Sequence, residues 1–262
     1  MAISAAIRER RERVFLVLAG FFLCAMTMLN IIGITRFIEL GPLALAVGVL
    51  PYPLTFLCTD LISELYGRAR ANFLVTVGLM LNGFIIGTMW LASQIPSVAP
   101  GSQPPWQLIQ LAENIALPNG DMVSGQVELF SLLYATTSGA IIASMLAYIA
   151  AQYCDVFMFH FWRNLTKGKH LWLRNNGSTL ISQGVDSFMV ITVTFGAQFF
   201  ADNITLKAML ILMGSNYLFK MACALIDTPF FYLGARYLKN HLQITNEELQ
   251  AHIDHKPIEE KP

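Results

Sequence analysis

Six stretches of roughly 20 predominantly apolar residues run through this chain, each long enough to cross the ~30 Å hydrocarbon core of a bilayer as a helix. No other feature narrows the fold so far, because a backbone inside lipid must satisfy its own hydrogen bonds, and only helices or closed barrels do so. The stretches lie at about 14 to 35, 42 to 66, 73 to 92, 129 to 151, 179 to 200 and 208 to 232. A composition of 55% hydrophobic and only 13% charged residues agrees with this and argues against an ordinary soluble domain. The expected fold is all-α: a polytopic membrane protein with six transmembrane helices over residues 1–240 and a polar tail over 241–262.

Basic residues orient the spans. Arg8, Arg10, Arg11 and Arg13 precede the first span; Arg68 and Arg70 follow the second; Arg163, Lys167, Lys169 and Arg174 follow the fourth; Arg236 and Lys239 follow the sixth. All four groups fall on one side, whereas the other side has only Arg36 and Lys207, so both termini are expected to be cytoplasmic. The basic start resembles a signal peptide, but the apolar run behind it is too long and lacks a small-residue cleavage site, so it should remain as the first helix. The outer segment 93–128 carries no Lys or Arg. Its alternation from Trp106 to Leu117 reads either as a short interfacial helix or as a lid over an outward-facing cavity. The loop after the fourth span should extend that helix and re-enter near Leu171.

A net charge of zero with unevenly spread basic residues gives no nucleic-acid surface. Cys24, Cys58, Cys154 and Cys223 sit in or beside apolar runs without paired spacing, and read as packing residues. His252 and His255 in the tail read as solvated. No catalytic, metal or cofactor site is expected.

Charges inside a bilayer are costly and face a cavity or a partner, so each is a functional candidate. At ~1.5 Å per helical residue, Asp186 and Lys220 both fall about 12 to 15 Å deep, near the midplane. Lys220 and Asp227 are seven residues apart, too far for an easy bridge within one helix, so Asp186 is the best partner for Lys220. The pair reads either as a substrate contact or as a structural clamp between helices. Asn82 lies at a similar level, Asn216 one turn from Lys220 and Gln183 one turn from Asp186; together they outline a polar pocket. Glu64 and Asp227 lie near the cytoplasmic ends, as interfacial charges or as the lining of a path, and Asp60, roughly 10 Å deep and one turn from Glu64 on the same helix face, suggests a lining shared with it. Pro51 and Pro53 predict a broken or kinked second span, and Pro229 a helix end or a loosened last turn. The stretch "SLLYATTSGAIIASM" in span four is rich in small residues and predicts close helix packing. Four acidic groups against one Lys also raise proton coupling.

Three segments, "PYPLTFLCTDLISELYGRARA", "LWLRNNGSTLISQGVDSF" and "NYLFKMACALIDTPFFYLG", together resemble the bacterial queuosine precursor transporter family, a branch of the vitamin uptake transporters. The resemblance rests on Thr59, Asp60, Glu64, Tyr66 and Gly67, on Arg174, Asn175, Asn176, Ser178, Thr179, Gln183 and Asp186, and on Lys220, Thr228 and Pro229. It implies a six-helix fold similar to the substrate-binding subunits of energy-coupling-factor importers, set in the bacterial inner membrane, and a 7-deazaguanine base, nitrile or aminomethyl, as the imported molecule. A carboxylate can accept the adjacent N–H donors of such a ring, a Lys or amide can donate to its carbonyl, and aromatic faces can stack on it. Asp186, Lys220, Asn216, Asn82 and Gln183 are the expected substrate contacts; Asp60, Glu64 and Asp227 are the expected pathway or gate. Phe188, Tyr217 and Trp90 offer stacking faces or ordinary packing. A substrate-binding subunit needing an energising partner and, more remotely, an intramembrane enzyme stay open beside the importer, and a homodimer would fit.

Overall fold

The computed structural model describes residues 5–99, 102–117, 122–166, 171–245 and 248. Six α-helices dominate: α1 (Ala5–Ile31), α2 (Tyr52–Tyr66), α3 (Arg68–Ser93), α4 (Leu129–Leu165), α5 (Leu171–Phe200) and α6 (Leu206–Leu242). Five of them are long and apolar enough to cross a membrane. The protein is a multi-pass membrane protein.

The exception is α2, with 15 residues, about 22 Å of helix against a ~30 Å core. Residues 42–66 are therefore not one spanning helix, which corrects the expectation for the second span. Phe37–Leu40 (β1) and Leu43–Ala46 (β2) form an antiparallel hairpin, followed by one tight turn at Val47–Val49. The hairpin turns at Gly41, where φ is +61°, followed by Pro42 with its ring-fixed φ. Pro51 caps α2 and Pro53 occupies its first turn, where a missing N–H breaks no helical bond. The prolines start the helix rather than kink it.

The outer segment is also extended rather than helical. Leu108–Gln110 (β3) pairs with Gln126–Glu128 (β6), and Ile115–Ala116 (β4) pairs inside them with Met122–Val123 (β5). The period-two alternation there is a strand signal, which overturns the interfacial helix. Helix α4 runs on to Leu165 and α5 begins at Leu171, as expected. Helix α6 continues through Pro229 to Leu242, well past the predicted end. His252 and His255 lie outside the described residues.

The chain divides into two compact units. The first comprises Met1–Leu29, Leu50–Leu81 and Ala222–Pro262. Its core is built from Ala19 and Phe22 on α1, Cys58, Ile62 and Leu65 on one face of α2, and Ala71 and Leu74 on α3, with Leu242 and Ile244. Between α2 and α3 stands Gly67 at φ 87°, ψ 157°, a conformation open essentially to glycine alone. Gly67→Ala is expected to destabilise the protein by about 1–3 kcal/mol. Thermal unfolding of the detergent-solubilised variant checks this, and an unchanged midpoint would refute it.

The same unit ties the two ends of the chain together. Arg11 donates to the carbonyls of Leu242 and Gln243 at the end of α6, and to both carboxylate oxygens of Glu248. Thr245 and Glu248 form a reciprocal capping box: the Glu248 carboxylate accepts from the Thr245 N–H, and the Thr245 hydroxyl from the Glu248 N–H. Burial raises the Glu248 carboxyl, but the Arg11 hydrogen bond and charge and the Thr245 N–H outweigh it and hold the group below its ordinary value. A depressed carboxylate contributes stability that is present above its unfolded value and is lost as pH falls through the folded one. Glu248→Gln should therefore lower the stability at neutral pH by about 1 kcal/mol or less, and the difference from wild type should shrink as pH falls below the ordinary carboxylate range and vanish once it is below the depressed folded value. A difference unchanged at acid pH would remove the charge from the account.

The second unit comprises Asn30–Val49 and Asn82–Met221. Helices α4 and α5 pack closely, as the small-residue stretch predicts: Ala143, Ala147, Ile141 and Thr137 on α4 are all fully buried. Ile191 and Phe195 on α5 pack with Met209 on α6 and with Ile34.

Candidate functional site

The site grows from α5 and α6 within the second unit. Asp186 and Lys220 are both buried, and Lys220, at 2% exposure, is among the largest side chains in the protein to be fully enclosed. Lys220 Nζ donates to Asp186 Oδ2. Either charge alone at that burial would cost several kcal/mol; paired, each compensates the other.

A second polar group spans three helices. Asn30 on α1 and Asn82 on α3 are each 1% exposed. Asn30 Nδ2 donates to Asn82 Oδ1 at 3.1 Å, and Ser144 Oγ on α4 donates to Asn30 Oδ1 at 3.0 Å. Among the described residues, Asn82 Nδ2, Gln183 Oε1 and Ser187 Oγ are buried without a hydrogen-bond partner. Gln183, Asp186 and Ser187 share one face of α5 by their spacing. Asn216 is buried on α6, four residues before Lys220 and so on the same face.

The structure thus joins Asp186 to Lys220 directly, while the hydrogen-bonded partner of Asn82 is Asn30. Sequence reasoning passed over Asn30, Ser144 and Ser187. Asn30 lies at the end of its helix, Ser144 sits in a stretch that reads as packing, and Ser187 is an ordinary hydroxyl until its burial is known. Of the aromatic candidates, Tyr217 lies beside Gly184, where an added Cβ would stand 3.8 Å from its ring, whereas Phe188 and Trp90 are exposed.

The acidic candidates all belong to the first unit. Asp227 is buried and its Oδ2 has no hydrogen-bond partner among the described residues. Asp60 is exposed and Glu64 half-buried. Asp60 and Asp227 lie near enough for their charges to repel. The described residues contain no group of three or more His, Cys, Asp or Glu able to hold a metal ion.

Comparison with known proteins follows the same lines. The chain is similar to the "Probable queuosine precursor transporter" of Bacillus subtilis (strain 168), at 28% identity over 211 residues, covering 79% of each chain. No solved structure matches the chain significantly. The family model "Putative vitamin uptake transporter" matches residues 46–234, a stretch that holds α2 to α5, most of α6 and both members of the buried ion pair. With most of its length under that model, the chain belongs to the vitamin uptake transporter family, a family of membrane transporters.

Proposed function

We infer that this protein imports a queuosine precursor, a 7-deazaguanine base in its nitrile or aminomethyl form, across the bacterial cytoplasmic membrane. The observation that carries the reading is the buried Asp186–Lys220 pair, set in a unit that also holds buried donors and acceptors without partners among the described residues. Such a set suits a flat ring with N–H donors on one edge and a carbonyl beside them. Asp186 accepts from the ring N–H groups, Lys220 and Asn82 donate to acceptors, and Asn216 and Gln183 complete the contacts. Membership of a transporter family supports uptake as the activity, and the similarity to the probable queuosine precursor transporter of Bacillus subtilis supports this substrate class. On this reading both termini face the cytoplasm, and Asp60, Glu64 and Asp227 line the way out.

The test is uptake by proteoliposomes holding the purified protein alone. Accumulation of the nitrile or aminomethyl base, chemically unchanged and not inhibited by excess guanine, is the expected result. Specific binding without uptake would indicate a subunit that needs an energising partner. No binding of either base would end the deazaguanine reading.

A further inference from the structure

The three-helix amide group has a direction. Ser144 donates to Asn30, Asn30 donates to Asn82, and Asn82, at 1% exposure, is left with its own Nδ2–H donor without a partner among the described residues. A buried amide donor without a partner is unfavourable and rare, and calls for a ligand or a water to meet it. The same unit holds on α5 an acceptor, Gln183 Oε1, and a hydroxyl, Ser187 Oγ, that also have no partner among the described residues. An amide can present either its oxygen or its nitrogen by turning through half a circle, so a side chain that must show one of them needs a neighbour to hold it. Asn30 is that neighbour, and it is itself held by Ser144.

We propose that Asn30 and Ser144 are positioning residues that fix the Asn82 amide with its N–H donor turned to the ligand, so that the site selects a ring carbonyl over an amino group at that contact. This rests on the deazaguanine reading above. Neither Asn30 nor Ser144 touches the ligand; each acts through Asn82. The device makes selectivity a matter of amide orientation, which a remote substitution can reverse. An aspartate at position 30 can only accept, so it would draw the Asn82 N–H toward itself and turn the Asn82 oxygen to the ligand. An alanine at position 144 releases Asn30 and lets both amides turn.

The experiment compares binding of the nitrile deazaguanine with that of the same ring carrying an amino group in place of its carbonyl. Purified wild type, Asn30→Asp, Ser144→Ala and Asn82→Asp are used, each also melted without ligand. Wild type should prefer the carbonyl compound by about ten-fold or more, the scale of one hydrogen bond made or refused. Ser144→Ala should bring the ratio close to one, and Asn30→Asp and Asn82→Asp should reverse it. A merely structural role would lower the melting midpoint or weaken both compounds equally, and leave the ratio where it was. Unchanged ratios beside normal wild-type binding overturn the proposal while leaving the importer reading intact. If Asn30→Asp fails to fold, Ser144→Ala, which removes one hydroxyl, decides alone. Wild type that binds neither compound locates the failure in the substrate reading, and the proposal falls with it.

Discussion

Lys220→Met alone is expected to cost about 3–5 kcal/mol of stability, because it leaves the Asp186 carboxylate buried without its counter-charge. Asp186→Leu alone should also destabilise, because it removes the carboxylate that accepts from the Lys220 ammonium. The double variant should recover most of the loss, since replacing a buried pair by apolar groups of similar volume is often close to neutral. Melting of the four proteins in detergent gives the cycle directly, and single variants that lose less than about 1 kcal/mol would show that the pair is not buried as described. Uptake gives the second reading of the same four proteins. If the pair serves only to clamp α5 to α6, the double variant transports; if it contacts substrate, the double variant is folded and inert. A folded, inert double variant is the expected result.

The second large effect has the opposite sign in stability. Asp227→Asn removes a buried carboxylate whose Oδ2 has no partner among the described residues and whose charge repels the like charge of Asp60. The amide keeps the shape and adds a donor, so the variant should melt no lower than wild type and about 1 kcal/mol higher if the charge is strained there. Uptake should nevertheless fall by about ten-fold or more, the free-energy scale of one lost contact on the pathway. Gain of stability with loss of activity is the mark of a residue kept for function at a structural cost. An Asp227→Asn protein that transports at the wild-type rate would return this residue to the interfacial charges.

Much of the architecture was legible because lipid allows so few solutions. Long apolar runs became α1, α3, α4, α5 and α6, and depth counted at a fixed rise per residue placed Asp186 and Lys220 within reach of each other before any contact was known. Two regions were not legible, for one reason. The runs at 37–46 and 108–128 are short and apolar or alternating, and the continuous apolar "LALAVGVL" does not by itself distinguish helix from strand. What decides it is the turn at Gly41 and the prolines that open α2. Pro229 misled in the other direction: long helices in membranes tolerate proline, and α6 passes through it. In the site, charges announced themselves and amides did not. Asn30 and Ser144 acquire a role only through the hydrogen bonds that join α1, α3 and α4, and spacing along one helix carries no information about a partner 114 residues away.

The hairpin of β1 and β2 also bears on how the chain is made. Its partners come from far downstream: the Ala44 N–H donates to the Ser215 hydroxyl 171 residues later, and the Phe37 ring lies 5.8 Å from that of Phe195. Neither partner has been synthesised when residues 37–46 leave the ribosome. The segment must therefore wait, in some provisional form, until the last two helices arrive. A nascent chain stopped short of α6 would lack the Ser215 hydroxyl that the Ala44 N–H meets, so this part of the fold is completed only once most of the chain has been made.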